Sequence, residues 1–379
     1  MSEEIIISNT SENTVKNVSE IVSETSNIDI KPLNNNAELT KEEILLTKEE
    51  ILLNFIEKNN NSPAQRSEEW YKLKCSTIGG SEVSTVIGYN PFKKLQDLVG
   101  EKAGLPEYEF KGSNATRWGT LFEAVTVKYT EDKYGIKIYE TGSIEGKIDR
   151  QRYSPDGLGI IDNKIYLFEF KAPFSTVPIG KIPHHYIPQV QTGLLTIDIA
   201  DSSRFINNMY RKCSLEDLRF DISYDTKFHI SKIPKCRTPT MPICCGIIGF
   251  KVGENNSRID YGKLNIDELL ILVEGKHIGV VYFDIAYNDL EISKVILETK
   301  KHNLTGILPW KLIISDDIEI HRDENWINII KEPIENAIKL LDEILKSEDK
   351  KKKHEQLFDW TSNAEFGKVD FNDYKDLLE

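Results

Sequence analysis

From Thr40 to Leu53 the chain reads TKEEILLTKEEILL, a seven-residue unit written twice. Ile44, Leu45, Ile51, Leu52, Phe55 and Ile56 fall on one helical stripe, and Thr40 followed by Glu43 forms a capping box. An amphipathic helix is therefore predicted over 40–60. Two heptads are short for a coiled coil, so the helix is expected to lie on its own domain, with docking or oligomerisation as the other reading. Further along, the spacing predicts helices near 67–74, 79–87, 115–134 and 184–195 and strands over 164–171, 203–211 and 280–286. Ile165 to Phe170 is apolar on both faces, which predicts a buried central strand. Ile334, Ala337, Ile338, Leu341 and Ile344 predict an amphipathic helix over 333–345 that opens with Pro333 in its first turn. Residues 214–276 show no clear period and read as irregular.

Composition adds the flanks. Residues 1–39, rich in Ser, Asn, Thr and Glu, lack the apolar surface needed to order and are expected to be a disordered tail. Residues 61–215 mix helix and strand and read as the core. Residues 216–347 read as an extension holding a strand and the closing helix. The run KSEDKKKKHEQ leads into a charged tail over 348–379. No apolar run approaches the roughly 18 residues of a membrane span. The acidic N-terminus has no basic flank, unlike a secretory signal. Five cysteines without a CxxC pair point to free thiols in a reducing, intracellular compartment. Adjacent Cys244 and Cys245 are expected in the core.

The net charge of −13 is uneven: residues 1–60 hold 5 Lys against 12 Asp or Glu, leaving −6 on the other 319 residues. A basic groove beside a carboxylate cluster is compatible with that balance, so nucleic-acid binding is not excluded.

Candidate chemistry concentrates in YSPDGLGIIDNKIYLFEFKAP, residues 153–173. Strand alternation puts Ile165, Leu167, Glu169 and Lys171 on one face. A hairpin over 148–171 would bring Asp156 beside Glu169. Two carboxylates in one pocket repel unless a divalent cation lies between them, and Mg²⁺ is the natural candidate. Lys171 would then hold and polarise a water against a phosphodiester. The competing reading is plain: Asp156 caps a turn, and Glu169 and Lys171 reach solvent from a strand end. Other features bear on the choice. RWGTLFEAV places Gly119 one helical turn before Glu123, leaving room for a ligand or for close packing. YIPQVQTG sets Tyr186, Gln189 and Gly193 along one helix face, with Gln189 suited to a water or a phosphate. Lys74, followed by Ser81 at a glycine-preceded helix start, suits a phosphate cradle. Trp70 is expected in the core.

Taken in order, W-x3-K, I-G-G-S-E, W-G-x2-F-E, S-P-D-G-L, E-F-K-A-P and Y-x2-Q-V-Q resemble the lambda-exonuclease-like, or YqaJ-type viral recombinase, branch of the PD-(D/E)xK nucleases over roughly residues 65–215. The resemblance implies a restriction-endonuclease-like α/β core, a central mixed sheet flanked by helices. It implies that Glu123, Asp156, Glu169 and the Phe170 carbonyl ligate Mg²⁺, which Mn²⁺ would replace, that Lys171 serves the attacking water, and that Gln189 lines the site. Ser81 and Ser154 match positions near a 5′-phosphate pocket. Lys74 and Val177 stand where the phage enzyme carries arginines, and Lys lacks the bidentate grip of a guanidinium.

The expected activity is thus a metal-dependent exonuclease acting 5′ to 3′ on double-stranded DNA ends in viral-type recombination, repair or replication. Alternatives are a structure-specific or nicking endonuclease of the same superfamily, or a DNA-binding scaffold without catalysis. Arg66, Lys72, Lys74, Arg117, Lys181 and Tyr186 are candidate DNA contacts. The resemblance also implies a ring-like homotrimer and a single-strand annealing partner. The composition suggests a large DNA virus, acting in the host cell or carried in the virion.

Overall fold

A computed structural model of the chain describes residues 46–60, 62–63, 67–108, 112–220, 241–252, 266–274, 278–352 and 354. Arg66, the 1–39 tail, the capping box at Thr40 and almost all of the charged tail lie outside the described residues. Nine helices are described: α1 (Lys48–Asn59), α2 (Glu68–Ser76), α3 (Val83–Val86), α4 (Leu95–Lys102), α5 (Asn114–Tyr134), α6 (Ile187–Thr196), α7 (Ile266–Glu274), α8 (Asp289–Thr299) and α9 (Trp326–Lys346). The strands are β1 (Ile78–Gly79), β2 (Ile144–Glu145), β3 (Gln151–Tyr153), β4 (Gly157–Ile161), β5 (Lys164–Lys171), β6 (Ser202–Lys212), β7 (Cys244–Val252), β8 (Ile278–Tyr282) and β9 (Gly306–Ile320).

The result is the mixed α/β arrangement that was expected. Six strands run in the order β4-β5-β6-β9-β7-β8, and β1-β3-β2 form a small second sheet. Only β5 and β6 pair in parallel within the large sheet, and α6 makes the crossover between them. Helix α6 packs on the Leu167 face with Val190 and Leu194, while Phe168 and Phe170 on the other face meet Ile138, Val127 and Tyr134. Helix α1 seats the fully buried Leu52 among Ile165, Leu167 and Leu158. The second repeat of the heptad thus covers its own domain.

Three expectations are corrected. Region 214–276 contains β7, whose Cys244 and Cys245 are fully buried, and β7 pairs with β9 in the main sheet. The 15-residue β9, which the apolar pattern did not reveal, lies between β6 and β7, so the large sheet takes strands from both sides of residue 215. Pro333 does not open the last helix; α9 begins seven residues earlier at Trp326 and carries Pro333 inside. Its apolar face, with Trp326, Ile330, Ile334 and Ile338, packs on Ile78, Val83 and Leu98, and that burial outweighs the backbone hydrogen bond proline removes.

Candidate active site

The site begins with a hairpin. Asp162 and Asn163 make the two-residue turn between β4 and β5, at φ of 48° and 60°. Asp and Asn tolerate that left-handed conformation better than other non-glycine residues. The turn sets Gly157 opposite Phe168, which carries Asp156 to the end of β5, where its Oδ2 accepts the Phe170 N–H at 2.8 Å. Glu169 is completely buried. Its Oε1 accepts from the Lys171 ammonium, and its Oε2 accepts from the Tyr153 hydroxyl at 3.0 Å. Asp156, Glu169 and Lys171 therefore form one cluster.

Burial pushes the Glu169 carboxyl up and the Asp156 charge adds to this, while Lys171 and the Tyr153 hydroxyl oppose it; the balance falls at about 7. For Lys171, burial works against the charge, but the Glu169 and Asp156 carboxylates outweigh it and hold the ammonium above its ordinary value. Burial, then the same two charges, keep the Tyr153 phenol protonated far above its usual range, so it remains a donor. Asp156, Glu169 and the Phe170 carbonyl are hard oxygen donors, and the repulsion that raises Glu169 is what a divalent cation would relieve. Two carboxylates and a carbonyl are the oxygen chemistry that Mg²⁺ takes.

Two glycines make the slot for Tyr153. A Cβ on Gly80 would stand 2.2 Å from its ring, and one on Gly193 would stand 2.4 Å from Cζ and 2.6 Å from the hydroxyl. This is the structural role of glycines in I-G-G-S-E and Y-I-P-Q-V-Q-T-G.

Beside Tyr153 opens a cleft of about 200 Å³ whose wall includes Lys74, Ser81, Arg152, Ser154 and Gln189. Arg152 is aimed by Ser143, whose carbonyl accepts Nη2–H at 2.6 Å and whose hydroxyl accepts Nε–H at 3.1 Å; Glu145 takes Nη1–H at 3.0 Å. Below the cleft, the buried Lys102 ammonium donates to the Lys74 carbonyl and pairs with Glu82 Oε2, both at 2.8 Å. Glu82 Oε2 also accepts the Gly79 N–H at 2.7 Å. That network ties α2, the 3₁₀ turn Gly80–Glu82 and α4 together. Trp70, expected in the core, lines the cleft instead, with the Lys74 ammonium 5.3 Å from its ring centre. Tyr186 lies under Lys171, its ring centre 5.1 Å from Nζ.

The remaining candidates lie on other elements. Glu123 is exposed on α5 and its charge acts on Tyr282, whose phenol is pushed up to about 12 by burial first and Glu123 second. Among the described residues no three His, Cys, Asp or Glu side chains converge on a metal position. A Cβ on Gly119 would meet nothing, so that glycine is not there for close packing. Arg117 sits half-buried in the first turn of α5, Lys181 is exposed, and exposed Lys72 pairs with Glu68 at 2.7 Å. Val177 packs against Met209, Ile313 and Ile314.

Tyr153, Arg152 and Lys102 were missed from the sequence. Tyr153 and Arg152 immediately precede S-P-D-G, and alternation along β3 was the available signal. Nothing local to Lys102 marks it; its partners lie 20 and 28 positions upstream.

Residues 69–199 match the family model of the YqaJ-like viral recombinase domain. "Protein D345L" of African swine fever virus is 25% identical over 308 residues, covering 72% of this chain and 84% of the relative. The same protein from a second strain is 25% identical over 309 residues with the same coverage. Among solved structures, an alkaline exonuclease, LHK-Exo, from Laribacter hongkongensis overlaps 77% of this chain and all of its own, at 14% identity and a TM-score of 0.40. A phage-related exonuclease from Haemophilus somnus overlaps 71% of this chain and 95% of its own, at 15% identity and a TM-score of 0.36.

Proposed function

We propose that this chain, whose residues 69–199 match the YqaJ-like viral recombinase domain, is a Mg²⁺-dependent deoxyribonuclease that resects double-stranded DNA from its ends, 5′ to 3′. The observation that carries the proposal is the completely buried Glu169, held between Lys171 and Tyr153 with Asp156 beside it. A buried acid raised by a second carboxylate is costly to keep for stability alone, and such perturbed groups collect at functional sites. The relatives support a viral context, and the recombinase description of the matching domain supports a role in DNA recombination.

In this reading Asp156, Glu169 and the Phe170 carbonyl hold the metal. When bound, Mg²⁺ would supply Lewis-acid stabilisation of charge on the reacting phosphate. Lys171, charged in the site described, orients the attacking water and faces the phosphate oxygens. The water oxygen bonds to phosphorus as the bond to the 3′-oxygen breaks; the water gives a proton to solvent and the departing 3′-oxygen takes one from it, leaving a 5′-phosphate and a 3′-hydroxyl. Gln189 and the Tyr153 hydroxyl fix the wall of the pocket. Lys74, Ser81, Arg152 and Ser154 hold the backbone phosphate of the DNA end; Arg152 supplies a guanidinium in a cleft where Lys74 replaces an arginine. Binding should therefore weaken steeply with salt.

The test is a linear duplex labelled at both ends, with a closed circle as control, each with and without a 5′-phosphate, in Mg²⁺ and in Mn²⁺. The expected result is metal-dependent loss of the linear duplex alone, from its 5′ ends, abolished in Lys171→Ala. Nicking of the circle would replace exonuclease with endonuclease, and binding without cleavage in either metal would leave only a scaffold.

A further inference from the structure

An aromatic line runs from solvent to the catalytic cluster. Phe92 is 83% exposed, the most exposed large apolar side chain among the described residues. It stands on a braced turn: Asn90 Oδ1 accepts the Phe92 N–H at 2.9 Å, Asn90 Nδ2 donates to Thr85 Oγ1 at 2.8 Å, and the Ser84 carbonyl takes the Tyr89 and Asn90 N–H groups at 2.7 and 3.0 Å. Its ring meets His185 edge to face, with centres 5.6 Å apart and planes at 89°. His185 in turn packs on Tyr186 with centres 4.2 Å apart, and Lys171 sits over the Tyr186 ring. Three contacts thus join an exposed phenyl group to the ammonium that faces the reacting phosphate. Lys94, two positions after Phe92, and His184, next to His185, are both exposed and add cationic or donor groups for a backbone.

A single exposed phenylalanine on a loop needs no explanation. Phe92 differs because its turn is braced by hydrogen bonds and because the rings behind it lead to the site. Nucleobases stack on such rings whatever their sequence, because every base has a π-face. We propose that Phe92, backed by His185 and Tyr186, is a stacking platform for an unpaired nucleobase of the strand whose backbone passes Lys171. The site would then accept a DNA end with its terminal base out of the duplex, and hold that base against Phe92. This rests on the nuclease reading above, and the test separates the two.

The experiment measures 2-aminopurine fluorescence in oligonucleotides carrying the probe at successive positions from the 5′ end, mixed with full-length protein in EDTA so that nothing is cleaved. Wild type is expected to quench the probe at one position. Phe92→Ala should lose that quenching and bind the single-stranded end about 5- to 150-fold more weakly, the range that stacking of one base contributes. Phe92→Trp should restore both; Phe92→Leu, apolar without a π-face, should not. If Phe92→Ala or Phe92→Leu quenches and binds like wild type while the wild-type protein cleaves in Mg²⁺, the platform is wrong and the nuclease reading stands. If the wild-type protein neither binds nor cleaves DNA, both fail together.

Discussion

Replacing Tyr153 with phenylalanine removes one oxygen atom from the site and leaves the ring in its slot between Gly80 and Gly193. That oxygen donates to Glu169 at 3.0 Å, in a place with no access to solvent. A hydrogen bond to a charged acceptor contributes about 1.5–3 kcal/mol, equivalent to roughly one to two pKa units. Glu169, at about 7 in the native protein, should rise by that amount. Metal binding needs the carboxylate, so at pH 7 the wild type gives up about half a proton on binding Mn²⁺ and Tyr153→Phe nearly a whole one. The same arithmetic weakens apparent Mn²⁺ affinity by about 7- to 80-fold at pH 7 and by no more than about 3-fold at pH 9, where the wild-type carboxyl is ionised and the variant's is at least about 40% ionised. Calorimetric titration with Mn²⁺ in two buffers of different ionisation enthalpy reads affinity and protons together. A loss of affinity that is the same at pH 7 and pH 9 would refute the reasoning, because the hydroxyl would then act through structure and not through the proton.

The buried carboxyl also has a stability signature. In the folded protein Glu169 is raised above its unfolded value of 4.5 to about 7, so its contribution is present below about 4.5 and is lost as pH climbs through 7. Metal-free Glu169→Gln should therefore match wild type at pH 4.5 and exceed it by about 2–3 kcal/mol at pH 8, measured by urea unfolding. Gly193→Ala would place its Cβ 2.4 Å from Tyr153 Cζ; it should cost about 1–3 kcal/mol in the same assay and weaken Mn²⁺ binding by displacing the hydroxyl. Lys102→Met strands Glu82 and the Lys74 carbonyl, and should cost about 3 kcal/mol, much of which Glu82→Gln in the same chain should restore.

The motif cluster was legible because its geometry is local. Asp156, Glu169 and Lys171 lie within 16 positions of each other, and strand alternation with a two-residue turn is enough to bring them together. The heptad stripe likewise indicated α1, since a helix that buries one face writes that face at a 3.6-residue period. The same logic failed for β9, where Ser315, Asp316, Asp317 and Glu319 interrupt the apolar run. Those polar residues are satisfied by partners far away in sequence: Asp317 by Lys133, Tyr134 and Arg204, and Asp316 by the Gly180 N–H. It failed too for α9, where helix propensity at Pro333 says stop and burial of Trp326 and Ile330 says continue.

The sequence determined the central strand, the turn before it and the identity of the acid and base groups, because residues within a few positions of each other are constrained by backbone geometry alone. Tertiary structure decided the environment of those groups. Only the fold could show that Tyr153 reaches Glu169, that Lys102 holds the Lys74 carbonyl, that Glu123 stands beside Tyr282, and that Phe92 and His185 meet. Burial and long-range contact set the charge state of a carboxyl and the exposure of a ring, and neither quantity is a property of a short stretch of chain.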